Sequence, residues 1–453
     1  MVRVLARSGT RLAVALRRAR DRTIRTPAER LPAALAEVTA KRPKPVVAVA
    51  LIVSCALTLL IVSRLPWSPG STLAGYRVDL DVYQLGARRW LAGQNLFAPI
   101  HPAHSRPLPF LYPPLSAILF APFALQPLAL ASIEMTLLSV FALGCVLWVA
   151  LGSLRPRGST ASRWLLLSVL LPLALLFEPV RATFGFGQIN LLLMGLVAVD
   201  CLARSPRWPR GVLVGLAAAI KLTPAAFILF FLLRKDWRAL AWSAISFAAW
   251  TGIGALMDWH DSLAYWTKIA YQTDRINIGV VANQSITAVL MRFHLHPGLR
   301  SAVWLVLAAM FLVVAVLAIR RAIGGGHLAL AVSLNGVFEL LVSPISWSHH
   351  WVWCVPLVLS LFVLGRRSRA VLPLLAAAVG LLLFTLAPQW QHPAPATWGL
   401  VGNLVGNCYV YLGAILLVGA AFLPVRTRWD VKPGDARRPG RLSTATSVSE
   451  SAF

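Results

Sequence analysis

The sequence predicts an all-α polytopic membrane protein, and three observations carry that prediction. Of the 453 residues, 58% are hydrophobic and only 13% are charged, about half the charge of a soluble domain of this size. Mean hydropathy is +0.71. Several apolar runs reach the roughly 20 residues that span a bilayer core as a helix, whereas a β-barrel would show short alternating segments.

The elements follow in order. Residues 1–44 hold twelve Lys/Arg against three acids and read as a basic cytoplasmic tail suited to anionic lipid. Its basic region is too long for a cleavable signal peptide. Residues 45–425 are expected to form the membrane-embedded unit, with a first span at 45–65. A long polar loop follows from Pro66 to about Phe110 and closes on a proline-rich stretch, Pro102 to Pro114. Within it, Leu80, Tyr83, Ala87 and Trp90 recur at helical spacing and predict a helix over Asp79 to Leu91, lying in the interface on a narrow apolar stripe. Further apolar segments lie near 115–152, 164–178, 188–203, 211–233, 239–257, 301–319, 328–343, 351–365, 370–388 and 398–424. Pro113, Pro114 and Pro122 interrupt the first, and Lys221, Thr223 and Pro224 interrupt 211–233. Each holds either one kinked span or two short helices. The tail 426–453 is again basic and polar. Basic clusters at both ends put both termini in the cytoplasm, so an even number of crossings is expected, about 12.

A formal net charge of +27 would suit nucleic acid, but the basic residues form no face of a soluble domain. They recur between spans, at Arg155/Arg157/Arg163, Arg204/Arg207/Arg210, Arg234/Lys235/Arg238, Arg320/Arg321 and Arg366/Arg367/Arg369. That is the positive-inside pattern, and it leaves no nucleic-acid partner. The five cysteines are scattered singly through apolar runs and have neither metal nor redox spacing. There is no Walker A loop and no nucleotide-binding glycine-rich turn. An enzyme of this kind, acting outside, needs an activated donor that is already in the membrane.

Placing the basic clusters inside puts 66–112, 179–187, 258–300, 344–350 and 389–397 outside, and these loops hold eight of the nine histidines. Five polar motifs converge there: Asp79-Leu-Asp-Val-Tyr83, Phe110-Leu-Tyr-Pro-Pro114, Phe186-Gly-Gln-Ile-Asn190, Asn283-Gln-Ser285 and Ser343-Pro-Ile-Ser-Trp-Ser-His-His350. Lys221-Leu-Thr-Pro224 is a sixth, with its side open. Polar groups at a membrane boundary are costly unless paired or used, so their convergence marks a candidate site.

Each residue has two readings. Asp79 is a general base for a sugar hydroxyl or the N-cap of its helix. Asp81 makes an Asp-x-Asp that also suggests a metal pair, a short pattern. His349 and His350 bind phosphate or steer a proton, or else bond loop carbonyls; no zinc spacing surrounds them. Lys221, inside an apolar run, pairs with a lipid phosphate or snorkels to the interface. Arg181 and Arg106 hold a phosphate or face lipid. Tyr112 and Trp347 offer aromatic surface to a sugar, or Tyr-Pro-Pro is a helix entrance. Gln188, Asn190, Asn283 and Gln284 bond sugar hydroxyls or satisfy broken backbone. Glu339 faces the bundle interior.

As an ordered set these motifs, with Leu91-Ala-Gly-Gln-Asn-Leu-Phe97, resemble the polyprenyl-phosphate-mannose-dependent α-1,2-mannosyltransferases over roughly residues 45–425. These are GT-C-fold membrane glycosyltransferases of phosphatidylinositol mannoside and lipomannan synthesis in bacterial envelopes. The resemblance implies a GT-C-like bundle with a long first outer loop bearing interfacial helices, in a bacterial plasma membrane with its site on the extracytoplasmic side. It implies an inverting transfer from polyprenyl-phosphate mannose to a mannosylated phosphatidylinositol or lipomannan acceptor, with no cofactor and no metal. In the family pattern the acid heads Asp-Leu-x-Val-Tyr, which maps to Asp79 as base. Asp81 then falls at the variable position and is not a metal ligand; it is expected among the substrate contacts. Likeness also points to His349 or His350, Lys221 and Tyr83 as substrate contacts. Arabinofuranosyltransferases using decaprenyl-phosphate arabinose share these motifs, and a lipid transporter remains the alternative of a different class.

Overall fold

The computed structural model describes residues 43–64, 75–103, 107–156, 158–272, 275, 277–391 and 398–423. The tails 1–42 and 424–453, Arg106 and Asp274 lie outside the described residues. Helices are the only regular elements among the described residues, which hold two isolated bridges and no strand.

The first helix, α1 (Pro43–Arg64), is apolar on all sides and leaves Ile52 68% and Val49 60% exposed. Water would not tolerate such a helix, whereas lipid does. Among the described residues, five helices are long and apolar enough to cross a membrane, or seven if each of two bent pairs is one span. This is a multi-pass membrane protein. The expected count of about 12 would require the five shorter apolar helices of 10–17 residues to cross as well.

The loop helix is α2 (Val78–Leu91). Asp79 and Asp81 in its first turn and Arg88 and Arg89 in its last suit the helix dipole, each worth about 0.3–1 kcal/mol at the surface. Its contact is wider than the expected stripe: Val82, Gln84 and Gly86 are buried as well as Leu80, Tyr83 and Ala87. Gly86 allows this, because a Cβ there would stand 2.5 Å from the Phe110 ring.

Both ambiguous apolar segments are divided. The first forms α3 (Pro114–Ala124) and α4 (Leu128–Leu154). The carbonyls freed between them are taken by α2: Gln84 Nε2 donates to Phe123 O at 2.6 Å and Gln126 O at 3.1 Å, and Arg88 Nε donates to Ala124 O at 3.1 Å. Helix ends inside apolar surroundings need such donors. Next come α5 (Thr160–Ala174) and α6 (Glu178–Phe186), bent by 73°, then α7 (Asn190–Leu202). The second divided segment gives α8 (Val212–Ile220), an extended Lys221, a 3-10 turn Thr223–Phe227 and α9 (Ile228–Leu233). Ser116 Oγ donates to the freed Ile220 carbonyl at 2.6 Å.

The remainder comprises α10 (Trp237–Met257), α11 (Trp259–Thr267), α12 (Ile286–Arg292), α13 (Pro297–Gly324), α14 (Leu328–Val342), α15 (Cys354–Ser368), α16 (Val371–Leu386), α17 (Leu400–Gly406) and α18 (Cys408–Phe422). A 3-10 turn, Ser348–Trp353, leads into α15. α4 packs on α7, α8 on α10, α13 on α14 and α18, and α15 on α16. The breaks at Gly187, Lys221 and Ser343–Trp353 meet at one end of this bundle, beside the first turn of α2.

Candidate active site

The site begins at Gly187, which ends α6 in the left-handed region at φ 70°. A Cβ there would come within 2.7 Å of Leu80 Cβ, so glycine both permits the turn and lets α2 approach. Arg77, ahead of α2, donates to the Phe184 carbonyl and ties the two helices together. The turn delivers Gln188 to Asp79.

Asp79 is the second residue of α2, not its N-cap, which is Arg77. Gln188 Nε2 donates to Asp79 Oδ2 at 2.6 Å. On its other side Gln188 Oε1 accepts from Tyr83 Oη at 2.7 Å and Tyr112 Oη at 3.2 Å. The two hydroxyls lie 2.9 Å apart. This amide orientation satisfies both phenols and the carboxylate. Tyr83, one turn after Asp79, stacks on Phe120 at 4.3 Å, which fixes its ring. Burial pushes the Asp79 carboxyl up to about 6, against the Gln188 hydrogen bond and the Lys221 charge, which pull it down. A carboxylate so placed is a better base near neutrality than an ordinary one.

Across Tyr112 lies the cation. Lys221 Nζ is 5.4 Å from the Tyr112 ring centre, 3.2 Å from Asn190 Oδ1 and 3.2 Å from His350 Nε2. An ammonium only donates, so His350 Nε2 accepts here and the ring is neutral, with its proton on Nδ1. Asn190 Nδ2 also donates to the His349 carbonyl at 3.1 Å, as does Thr183 Oγ1 at 3.1 Å. The His349 ring is buried beside Phe186 and His350, and its Nε2 has no hydrogen-bond partner among the described residues. A hydrogen-bonded line therefore runs from Asp79 through Gln188 to Tyr83 and Tyr112, and the contact of Lys221 with the Tyr112 ring joins it to Lys221, Asn190 and His350.

The other expected residues stand outside that line. Asp81 accepts from Tyr76 Oη at 3.1 Å and the Ala103 amide at 3.0 Å, pinning its loop. Asn283 Nδ2 donates to the Ile278 and Pro344 carbonyls, and its Oδ1 accepts from the Ser346 amide. Gln284 Nε2 donates to the Val281 and Gly406 carbonyls. Trp347 is half-buried and its backbone forms a bridge with Asn283. Arg181 donates to the Leu176 and Thr385 carbonyls. Tyr112 serves in the cluster, and Pro113–Pro114 are also the entrance to α3. No three His, Cys, Asp or Glu gather as a metal would need among the described residues.

Two residues that the motifs did not single out shape the site. Glu178 accepts from Ser348 Oγ at 2.8 Å, Trp390 Nε1 at 3.0 Å and Tyr409 Oη at 3.0 Å, anchoring the histidine turn. Arg292 is buried and donates to Val280 O, Asn283 O and Asn407 Oδ1. The sequence signal for both was a charge in an apolar setting.

The model of glycosyltransferase family 87 matches residues 110–344. A Mycobacterium tuberculosis (strain ATCC 25618 / H37Rv) protein named polyprenol-phosphate-mannose-dependent alpha-(1-2)-phosphatidylinositol mannoside mannosyltransferase is 39% identical, over 76% of this chain and 84% of its own. A protein of the same name from Mycolicibacterium smegmatis is 38% identical, over 76% and 83%. A second M. smegmatis protein, named for a phosphatidylinositol pentamannoside mannosyltransferase, is 36% identical over 67% and 73%. No solved structure matches significantly. The family match covers more than half of the 453 residues and the relatives cover most of them, so this chain belongs to glycosyltransferase family 87.

Proposed function

We propose that this chain is an inverting mannosyltransferase that moves mannose from polyprenyl-phosphate mannose to the 2-hydroxyl of a phosphatidylinositol mannoside, forming an α-1,2 linkage. Relatives named for that reaction support the donor and the acceptor class, and lipomannan is an acceptor of the same chemistry. The observation that carries the reading is the pairing of a raised carboxyl at Asp79 with a lysine–histidine pair at Lys221 and His350 along one polar line.

Asp79 takes the proton of the acceptor hydroxyl as its oxygen attacks the anomeric carbon. The bond from that carbon to the phosphate oxygen breaks, and its electron pair leaves with polyprenyl phosphate. Lys221 holds the phosphate as its charge grows, and His350 Nε2 orients the ammonium. Tyr83, Tyr112 and Gln188 keep Asp79 in place, and Asn190 keeps Lys221 and the His349 backbone in place. The site works on the extracytoplasmic side of a bacterial plasma membrane, within a membrane unit of residues 45–425, between cytoplasmic tails 1–44 and 426–453.

Purified protein in vesicles, offered polyprenyl-phosphate mannose and decaprenyl-phosphate arabinose in separate reactions with a phosphatidylinositol mannoside, tests this. The expected product carries one added mannose, α-1,2-linked by NMR. Transfer of arabinose instead, or movement of the lipid across the vesicle without transfer, would overturn it.

A further inference from the structure

Behind Lys221, on the side formed by α7, α14 and the turn before α15, lies a small, partly open cavity of about 40 Å³. Asn190, Lys221, Thr223, Glu339 and His350 give it polar walls. A space of this size, with polar groups on its walls, has room for a water molecule. Glu339 projects from α14, is 8% exposed, and its carboxylate accepts no hydrogen bond from any described residue. It makes no ion pair within 4.0 Å with Lys221, although both residues line the same cavity. A buried carboxylate and a buried ammonium left apart in this way are costly unless each serves the other.

We propose that Glu339 is a positioning residue, the standing counter-ion of Lys221, acting across water in this cavity. The inference rests on the reading of Lys221 as the phosphate-holding cation. Asp79 cannot fill this role, because it becomes neutral when it accepts the acceptor's proton, at the moment the departing phosphate gains charge. In this role Glu339 stands apart from the proton transfer that consumes Asp79, and its pairing with Lys221 keeps that side chain an ammonium during departure and after release. The groups around Lys221 from each packed element are Asp79 on α2, Tyr112 before α3, Asn190 on α7, Glu339 on α14 and His349 and His350 before α15. Of these, only Asp79 and Glu339 are carboxylic acids.

The test is the pH profile of transfer by reconstituted Glu339→Gln, Glu339→Asp and wild-type protein. In Glu339→Gln the alkaline limb of kcat/KM moves to lower pH by about one unit, and KM for the polyprenyl-phosphate donor rises. Glu339→Asp restores most of both. An unchanged alkaline limb and donor KM in Glu339→Gln overturns the inference, as does a loss of folded protein that Glu339→Asp does not repair. Lys221→Met separates the two readings. If it transfers as wild type does, the phosphate role of Lys221 fails; if it is inactive while Glu339→Gln is like wild type, only the counter-ion role fails. Thermal unfolding of Lys221→Met with and without Glu339→Gln adds a readout independent of activity: the double variant unfolds at a higher temperature than Lys221→Met alone, and a lower one contradicts the pairing.

Discussion

Glu178 and Asp79 are carboxylates in the first turns of two short helices, α6 and α2, that touch one another. Glu178 is buried and accepts from three side chains drawn from Ser348, Trp390 and Tyr409. Asp79 is partly accessible and has one side-chain donor, Gln188. The first carboxylate has its lone pairs taken by the protein and binds four segments together. The second keeps acceptor capacity free, beside a cation and two tyrosines. Full satisfaction makes a latch, and partial satisfaction leaves a group that can take up a proton from outside. The same contrast separates Asn283, whose amide is fully bonded to backbone, from His349, whose buried Nε2 is not.

The largest expected effect comes from Asp79→Asn, which keeps the shape and a hydrogen-bond acceptor but cannot take a proton. Its kcat falls about 10²–10⁴-fold while thermal unfolding stays close to wild type. Glu178→Ala does the reverse. It strands Ser348, Trp390 and Tyr409 and costs about 3 kcal/mol of stability, read by unfolding in detergent. If Glu178→Ala unfolded like wild type, the latch would be refuted. Lys221→Met removes a buried charge-assisted contact and lowers kcat/KM for the donor roughly 10–100-fold. Gln188→Leu removes a hydrogen bond that favours the charged form of Asp79, so the Asp79 carboxyl rises above about 6 and the acid limb of kcat/KM moves to higher pH. Arg181→Ala is the smallest: with its guanidinium on two backbone carbonyls outside the polar line, it changes the transfer rate less than about twofold.

Much of this was legible because polarity in an apolar chain is informative. The helix at Asp79–Leu91, the breaks at the prolines and at Lys221, and the gathering of Asp79, Gln188, Lys221 and His350 all follow from groups that need partners away from water. What the sequence does not show is which partner each group finds. For Asn283 and Gln284 the letters allow either sugar contacts or support of broken backbone, and only the fold shows their amides bonded to the Pro344 and Gly406 carbonyls. Glu178 reads as a loop acid because Tyr409 is 231 positions away. The width of the α2 contact depends on Gly86 meeting Phe110, and periodicity along one helix carries no record of its neighbour.

The most direct test is the rate of mannosyl transfer by the wild-type protein at saturating donor and acceptor between pH 5 and pH 8. Asp79 acts as base only when ionised, and its carboxyl is held up at about 6. The rate should therefore rise as pH climbs through about 6 and then level off. A rate that is flat across that interval, or that falls as pH rises from 5, would contradict Asp79 as the group that takes the acceptor's proton.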